Sequence, residues 1–209
     1  MEDVLHLYNQ PYDAQRPLIC FDERPCQLLE EVLQPLPMKM GKVKKQQYSY
    51  RRKGTCCLLV AFEPHTAQRW VWVVQQRTMK EYALFLAFIA AQHPGALTIR
   101  WVQDNLSTHK KGAFYGHLPA EKAFALAQLF EFHFTPVNAS WLNMVEIELS
   151  VIARRCLKQR IASMEELTSA IDQLVKERNE LKATVNWQFS IPLARKNLKR
   201  WYDSSLSNI

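Results

Sequence analysis

Leu18-Ile19-Cys20-Phe21-Asp22-Glu23 is a run of four apolar residues that ends on an acid. The same shape returns at Ile99-Arg100-Trp101-Val102-Gln103-Asp104-Asn105. Each reads as a buried strand with an aspartate where the chain leaves the core. A carboxylate just past such a strand is held rigidly and faces the sheet edge, where ligands bind in open α/β sheets. A third acid, Glu146, sits in Trp141-Leu142-Asn143-Met144-Val145-Glu146, in the first turns of an expected helix. Three such carboxylates converging would form an oxygen-only site suited to magnesium or manganese.

Outward from the first run, Thr55–Phe62 and Arg69–Val74 read as two further strands, joined through a turn at Glu63-Pro64-His65, which suits an antiparallel meander. Thr78 caps a helix that ends before Pro94-Gly95. The second acid-tipped strand follows over 97–102, then helical pieces over 110–118 and 120–129. A fifth strand covers 130–134, and a helix runs from about Asn143 to Leu157. The order β-β-β-α-β-α-β-α predicts an α/β fold, a mixed five-stranded sheet with helices on both sides. Residues 1–16 read as a lead-in with a short amphipathic stretch at Val4–Tyr8. The span 17–160 reads as the main α/β domain that carries the three acids, and 161–209 as a helical extension opened by the capping box at Ser163-Met164-Glu165-Glu166.

A chain of 209 residues with 48% hydrophobic residues can bury a real core. A net charge of +7 favours a polyanionic partner over a membrane surface. No apolar run approaches the roughly 20 residues that span a bilayer, and the acidic start lacks a signal-peptide core, so a cytoplasmic location is expected. The five cysteines, Cys20, Cys26, Cys56, Cys57 and Cys156, show no C-x-x-C spacing and read as small hydrophobes rather than as disulfides or a zinc site. Residues 34–54 form a long loop or an extended hairpin. They carry Lys39, Lys42, Lys44, Lys45, Arg51, Arg52 and Lys53, with Tyr48 and Tyr50 and no acid, a composition suited to phosphate contacts and base stacking.

Each acid has a structural alternative. Asp22 and Asp104 could simply begin turns. Glu146 could be the reciprocal acid of a capping box whose N-cap is Asn143. Glu23 alternates away from Asp22, and Glu148 lies about 200° around the helix from Glu146, so both are poorer partners. His109, four residues past Asn105, could orient a carboxylate or hold a phosphate.

Taken together, Cys20-Phe21-Asp22-Glu23, Asp104-Asn105-Leu106-Ser107-Thr108-His109 and Phe132-His133-Phe134-Thr135-Pro136 leading into Ser140–Glu146 resemble the catalytic domain of DDE transposases of the mariner superfamily, in the bacterial insertion-sequence branch (IS-six-thirty type). The resemblance runs from about Pro11 to Tyr202. It implies a ribonuclease H-like fold. It implies that Asp22, Asp104 and Glu146 hold two Mg2+ or Mn2+ ions, with Asn105, His109 and Asn143 in support. It implies cleavage and strand transfer of DNA at transposon ends. Met144 stands where the family usually has proline, and the stretch from Asp104 to Glu146 is longer than in many mariner relatives. The residues before the first strand are too few for a helix-turn-helix module. The chain is therefore expected to act as a catalytic half, in a homodimer or with a full-length transposase partner that supplies DNA recognition. Another ribonuclease H-like nuclease, a resolvase or hybrid nuclease, and a non-catalytic basic nucleic-acid-binding remnant are the alternative readings.

Overall fold

The computed structural model describes residues 1–32, 40–41, 49–106 and 110–199. Its centre is a five-stranded sheet built from β1 (Leu18–Glu31), β2 (Tyr50–Glu63), β3 (Gln68–Val74), β4 (Ile99–Gln103) and β5 (Phe130–Phe134), in the spatial order β3-β2-β1-β4-β5. The first three strands pair antiparallel. β4 joins β1 in parallel, and β5 joins β4 in parallel. Parallel strands need crossovers, and helices supply them. α2 (Met79–Gln92) leads to β4, and α3 (Gly112–His117) with α4 (Ala120–Leu129) leads to β5. A single 3-10 turn (Ser140–Leu142) then opens into α5 (Val145–Arg155), followed by α6 (Met164–Glu180) and α7 (Ile191–Asn197).

Strand alternation divides the core in two. Leu18, Cys20, Leu58, Val60, Phe62 and Val102 pack with Leu149 and Ile152 of α5 and with Leu167, Ile171 and Leu174 of α6. Ile19, Phe21, Leu59, Ala61 and Trp101 pack on the opposite face with residues of α2, α3 and α4. Thr78 caps α2 by accepting from the Glu81 N–H (3.5 Å), and Ser163 caps α6 by accepting from the Glu166 N–H (3.2 Å), as the sequence predicts. All five cysteines are free and buried. No helix among the described residues is long and apolar enough to cross a membrane.

Three expectations are corrected. β1 does not end at Phe21. It continues to Glu31, because β2 offers partners along its whole length, from Cys20 opposite Phe62 to Glu31 opposite Tyr50. Pro25 is tolerated there because β1 has lost its β4 neighbour after Cys20. A bulge between Leu28 and Leu29 lies opposite Gly54, whose φ of +132° suits glycine. Arg51, Arg52 and Lys53 therefore sit on the β2 arm of an extended hairpin, the second of the two readings of this segment, and all three are exposed. Second, the stretch read as a lead-in holds α1 (Glu2–Tyr8), whose Val4, Leu5 and Leu7 are buried, and Val4 and Leu7 join the core beneath α5. Third, α5 begins at Val145, two residues later than expected, after the 3-10 turn.

Candidate active site

The three acids arrive on one face by counting. Cys20 lies opposite Val102 in the parallel β1–β4 pair, and both side chains belong to the core beneath α5. Asp22 and Asp104 are each two residues further on. An even step keeps the side chain on the same face. Asp22 is paired with Val60 in the interior of β1, whereas Asp104 is the first residue past β4. Glu146 is the second residue of α5, the helix that covers this face. Asp22, Asp104 and Glu146 are all half-buried.

The electrostatics of Asp22 record this convergence. Burial pushes its carboxyl up to about 7, against a hydrogen bond from the Glu23 N–H, and the negative charges of Glu146, Asp104 and Glu23 push it further. Among the described residues, the charges acting on it are all acidic. As the side chains stand, no group of three or more His, Cys, Asp or Glu residues among the described residues closes around an ion. Asp22 Oδ1 accepts from the Glu23 N–H at 2.7 Å and Asp104 Oδ1 from the Leu106 N–H at 3.4 Å. The arrangement is a cluster of like charges that share one face, not a closed coordination sphere. An oxygen-only set of three carboxylates fits a hard divalent cation.

Glu146 is not used as a helix cap. The Asn143 N–H donates to Ser140 O (2.8 Å), so the reciprocal bond of a capping box is absent, and Met144 is the residue before the helix. Asn143 does a different job. It is buried, and its Nδ2 donates to Phe21 O at 2.7 Å while its Oδ1 accepts from the Val145 N–H at 3.5 Å. One side chain thus ties the start of α5 to the residue before Asp22. Tyr8 adds a second tie that no sequence signal announced. Its hydroxyl donates to Leu142 O (2.9 Å) and accepts from the Met144 N–H (3.4 Å). Replacing Asn143 by Ala should cost about 1–3 kcal/mol, the range for a lost buried hydrogen-bond partner, as read from urea unfolding midpoints. An unchanged midpoint would show that α5 is positioned without it.

The two rejected acids are elsewhere. Glu23 faces the opposite side of the sheet and pairs with Arg77 (2.6 Å). Glu148 is buried beneath α5 and clasped by Arg69 and Arg178. Asn105 is exposed beside Asp104. His109, Lys39, Lys42, Lys44 and Lys45 lie outside the described residues. On the described part of the basic segment, Arg51 and Lys53 both reach Glu30, at 3.4 and 3.5 Å. Arg52 has no ion-pair partner among the described residues.

The family described as DDE superfamily endonuclease matches residues 17–168. This chain belongs to that family. The Mos1 transposase paired-end complex with left transposon end shares the fold, at a TM-score of 0.58 and 14% identity over 87% of this chain and 55% of that one. The Mos1 mariner paired-end complex with Mn gives a TM-score of 0.55 and 14% identity over 86% and 58%. A simian T-cell lymphotropic virus intasome in complex with PP2A regulatory subunit B56 gamma gives 0.52 and 13% over 84% and 58%. The chain spans a little over half the length of these relatives. At such identities the likeness is one of fold, and it bears out the expected ribonuclease H-like arrangement. Among curated protein sequences none matches the chain.

Proposed function

We propose that this chain is the catalytic domain of a mariner-type DDE transposase of the bacterial insertion-sequence kind. On this reading it cuts DNA strands at transposon ends and joins the freed end to target DNA. The observation that supports the proposal is that Asp22, Asp104 and Glu146 come from three separate elements to one face of the sheet, where the charges that raise the Asp22 carboxyl are, among the described residues, all acidic. Asp22 lies within β1 and Asp104 is the first residue past β4, so adjacent parallel strands carry the two aspartates. Glu146 stands on the first turn of α5 and is positioned through Asn143 and Tyr8.

These three residues would hold two divalent ions, Mg2+ or Mn2+. When bound, such ions supply Lewis-acid stabilisation of charge on phosphate oxygens and activate an attacking hydroxyl. The carboxylates themselves need not accept a proton. Hydrolysis and strand transfer are both in-line displacements at a phosphodiester, so one set of acids can serve both. Arg51, Arg52 and Lys53, with Lys39, Lys42, Lys44 and Lys45, would neutralise DNA backbone charge, and Asn105 and His109 would support the metal site. Two transposon ends call for two protomers, so a homodimer or a full-length transposase partner is part of the proposal, as is a cytoplasmic location at the nucleoid.

The test is metal-dependent nicking of three labelled substrates by the purified chain: a duplex bearing the terminal repeat that flanks the gene, an RNA–DNA hybrid, and a four-way junction. Cleavage at the repeat boundary with Mg2+ or Mn2+, and not of the other two, supports the transposase reading. Preference for the hybrid or the junction would make the chain a different ribonuclease H-like nuclease. No metal-dependent cleavage of any substrate would leave a nucleic-acid-binding remnant.

A further inference from the structure

Past Asp22, β1 continues on the same face. Arg24 lies opposite Leu58, a residue of the core beneath α5. α5 runs beside it and carries Glu146, Ser150 and Arg154 at intervals of four, none of them buried. That spacing puts the three on one side of the helix. Eight residues of helix rise about 12 Å, so Arg154 stands roughly that far along the axis from Glu146. Lys158, exposed, follows four residues later, just past the helix end. Between this segment and the second half of β1 is a cleft of about 480 Å³ with Arg24, Tyr50, Lys158 and Arg160 in its walls.

The cations of this region divide into two kinds. Arg160 is engaged by the fold. It pairs with Glu31 (2.7 Å), donates to Ser49 O (3.1 Å) and lies over the Tyr50 ring (5.4 Å), tying the segment after α5 to the hairpin. The Leu29 N–H donates to Ile161 O (2.8 Å), which closes the same end by backbone. Arg155, on another side of α5, is engaged by Glu177 at 2.9 and 2.8 Å. Arg24, Arg154 and Lys158 have no ion-pair partner among the described residues. They come from segments about 130 residues apart, so no basic run in the sequence announces them.

We infer that this cleft and the outer side of α5 form a phosphate track, on which Arg24, Arg154 and Lys158 hold the backbone of the DNA strand that enters the carboxylate cluster. The inference rests on the DNA-cleaving reading of that cluster. Three acids repel a phosphodiester chain, and cations along its approach offset that repulsion. The occupant is backbone rather than base, because the side chains involved carry charge without a bidentate base-reading pair on one recognition helix.

The experiment compares Arg24→Gln/Lys158→Gln with Lys122→Gln/Lys176→Gln, which removes the same charge from exposed lysines on α4 and α6. Equilibrium binding to a terminal-repeat duplex and a random duplex is measured against salt. The track pair should lower the log–log slope by about 1.8, roughly 0.9 for each lost phosphate contact, on both duplexes, while the control pair leaves it unchanged. The charge-keeping pair Arg24→Lys/Lys158→Arg should retain the wild-type slope, which separates charge from folding. Equal slopes in the track and control pairs overturn the track, and so does a wild type without salt-dependent binding. Nicking is read in parallel. A wild type that binds with the expected slope yet never cuts would sink the catalytic reading and leave the track standing.

Discussion

Asp22→Asn should abolish metal-dependent strand cleavage, by roughly 10³-fold or more, while the protein still folds. On the proposed reading, removing one of three acids takes away part of the charge that would hold the ions, and several kcal/mol of charge stabilisation would go with it; about 4 kcal/mol corresponds to that factor. The variant should also lose a response that needs no substrate. A cation that binds only the folded protein raises its melting temperature, so Mn2+ should stabilise the wild type and not Asp22→Asn. A purified Asp22→Asn protein that nicks at the wild-type rate, or that Mn2+ stabilises as well as the wild type, would remove Asp22 from the site.

The same variant has a pH signature without metal. The Asp22 carboxyl is pushed up from 3.8 to about 7 in the fold, first by burial and then by its acidic neighbours. An acid whose folded value is raised binds its proton more tightly folded than unfolded. Its contribution to stability is therefore complete below about pH 4 and is lost as pH rises through about 7. The gap is worth at most about 4 kcal/mol. In a chelator, Asp22→Asn should melt above the wild type at pH 8, and the two curves should meet near pH 4. A variant that melts below the wild type at pH 8 would mean that a stabilising partner holds the ionised carboxylate, contrary to a cluster of repelling acids.

The two aspartates were legible because strand periodicity is local. Each ends or follows an apolar run, and the even step from Cys20 and Val102 needs only counting. The length of β1 was not legible. Asp22-Glu23-Arg24-Pro25 has the composition of a turn, and only the partner strand, with Leu58, Leu59 and Val60 opposite, keeps it extended. The alternation of Cys26 and Leu28 was the available signal. The bonds from Tyr8 to the start of α5 span more than 130 residues and join elements with no shared pattern, so only the fold reveals them. Arg24 and Lys158 are unremarkable in sequence for the same reason. Glu146 was separable from Glu148 only by helical angle, and the structure gives that angle a physical consequence.

Glu148→Ala should destabilise the fold by about 3–5 kcal/mol, the cost of breaking a buried ion pair and leaving its partners uncompensated. Its carboxylate takes bonds of 2.6 and 2.9 Å from Arg69 and of 3.0 and 2.8 Å from Arg178. The side chains of Arg69 and Glu148 are each only 2% exposed. Arg69 is further fixed by Ala67 O (2.6 Å) and by its guanidinium lying 4.7 Å from the Phe62 ring centre, and its backbone exchanges two hydrogen bonds with the Asn179 side chain. The network therefore joins β3, α5 and α6, and without Glu148 two arginines would face each other across a cavity. Burial alone would push the Glu148 carboxyl up, but the two arginines hold it below its usual 4.5. For a lowered acid, the stability is present above the unfolded value and lost as pH falls through the folded one, so the network should fail on acidification below about pH 4.5. Glu146→Gln, two residues away, should do the reverse: melting no lower than the wild type, because a like charge acting on Asp22 is removed, and cleavage lost. Urea unfolding and nicking measured on both variants give a crossed pattern. A Glu148→Ala protein as stable as the wild type, or a Glu146→Gln protein that still cuts, would exchange or dissolve the roles of the two acids.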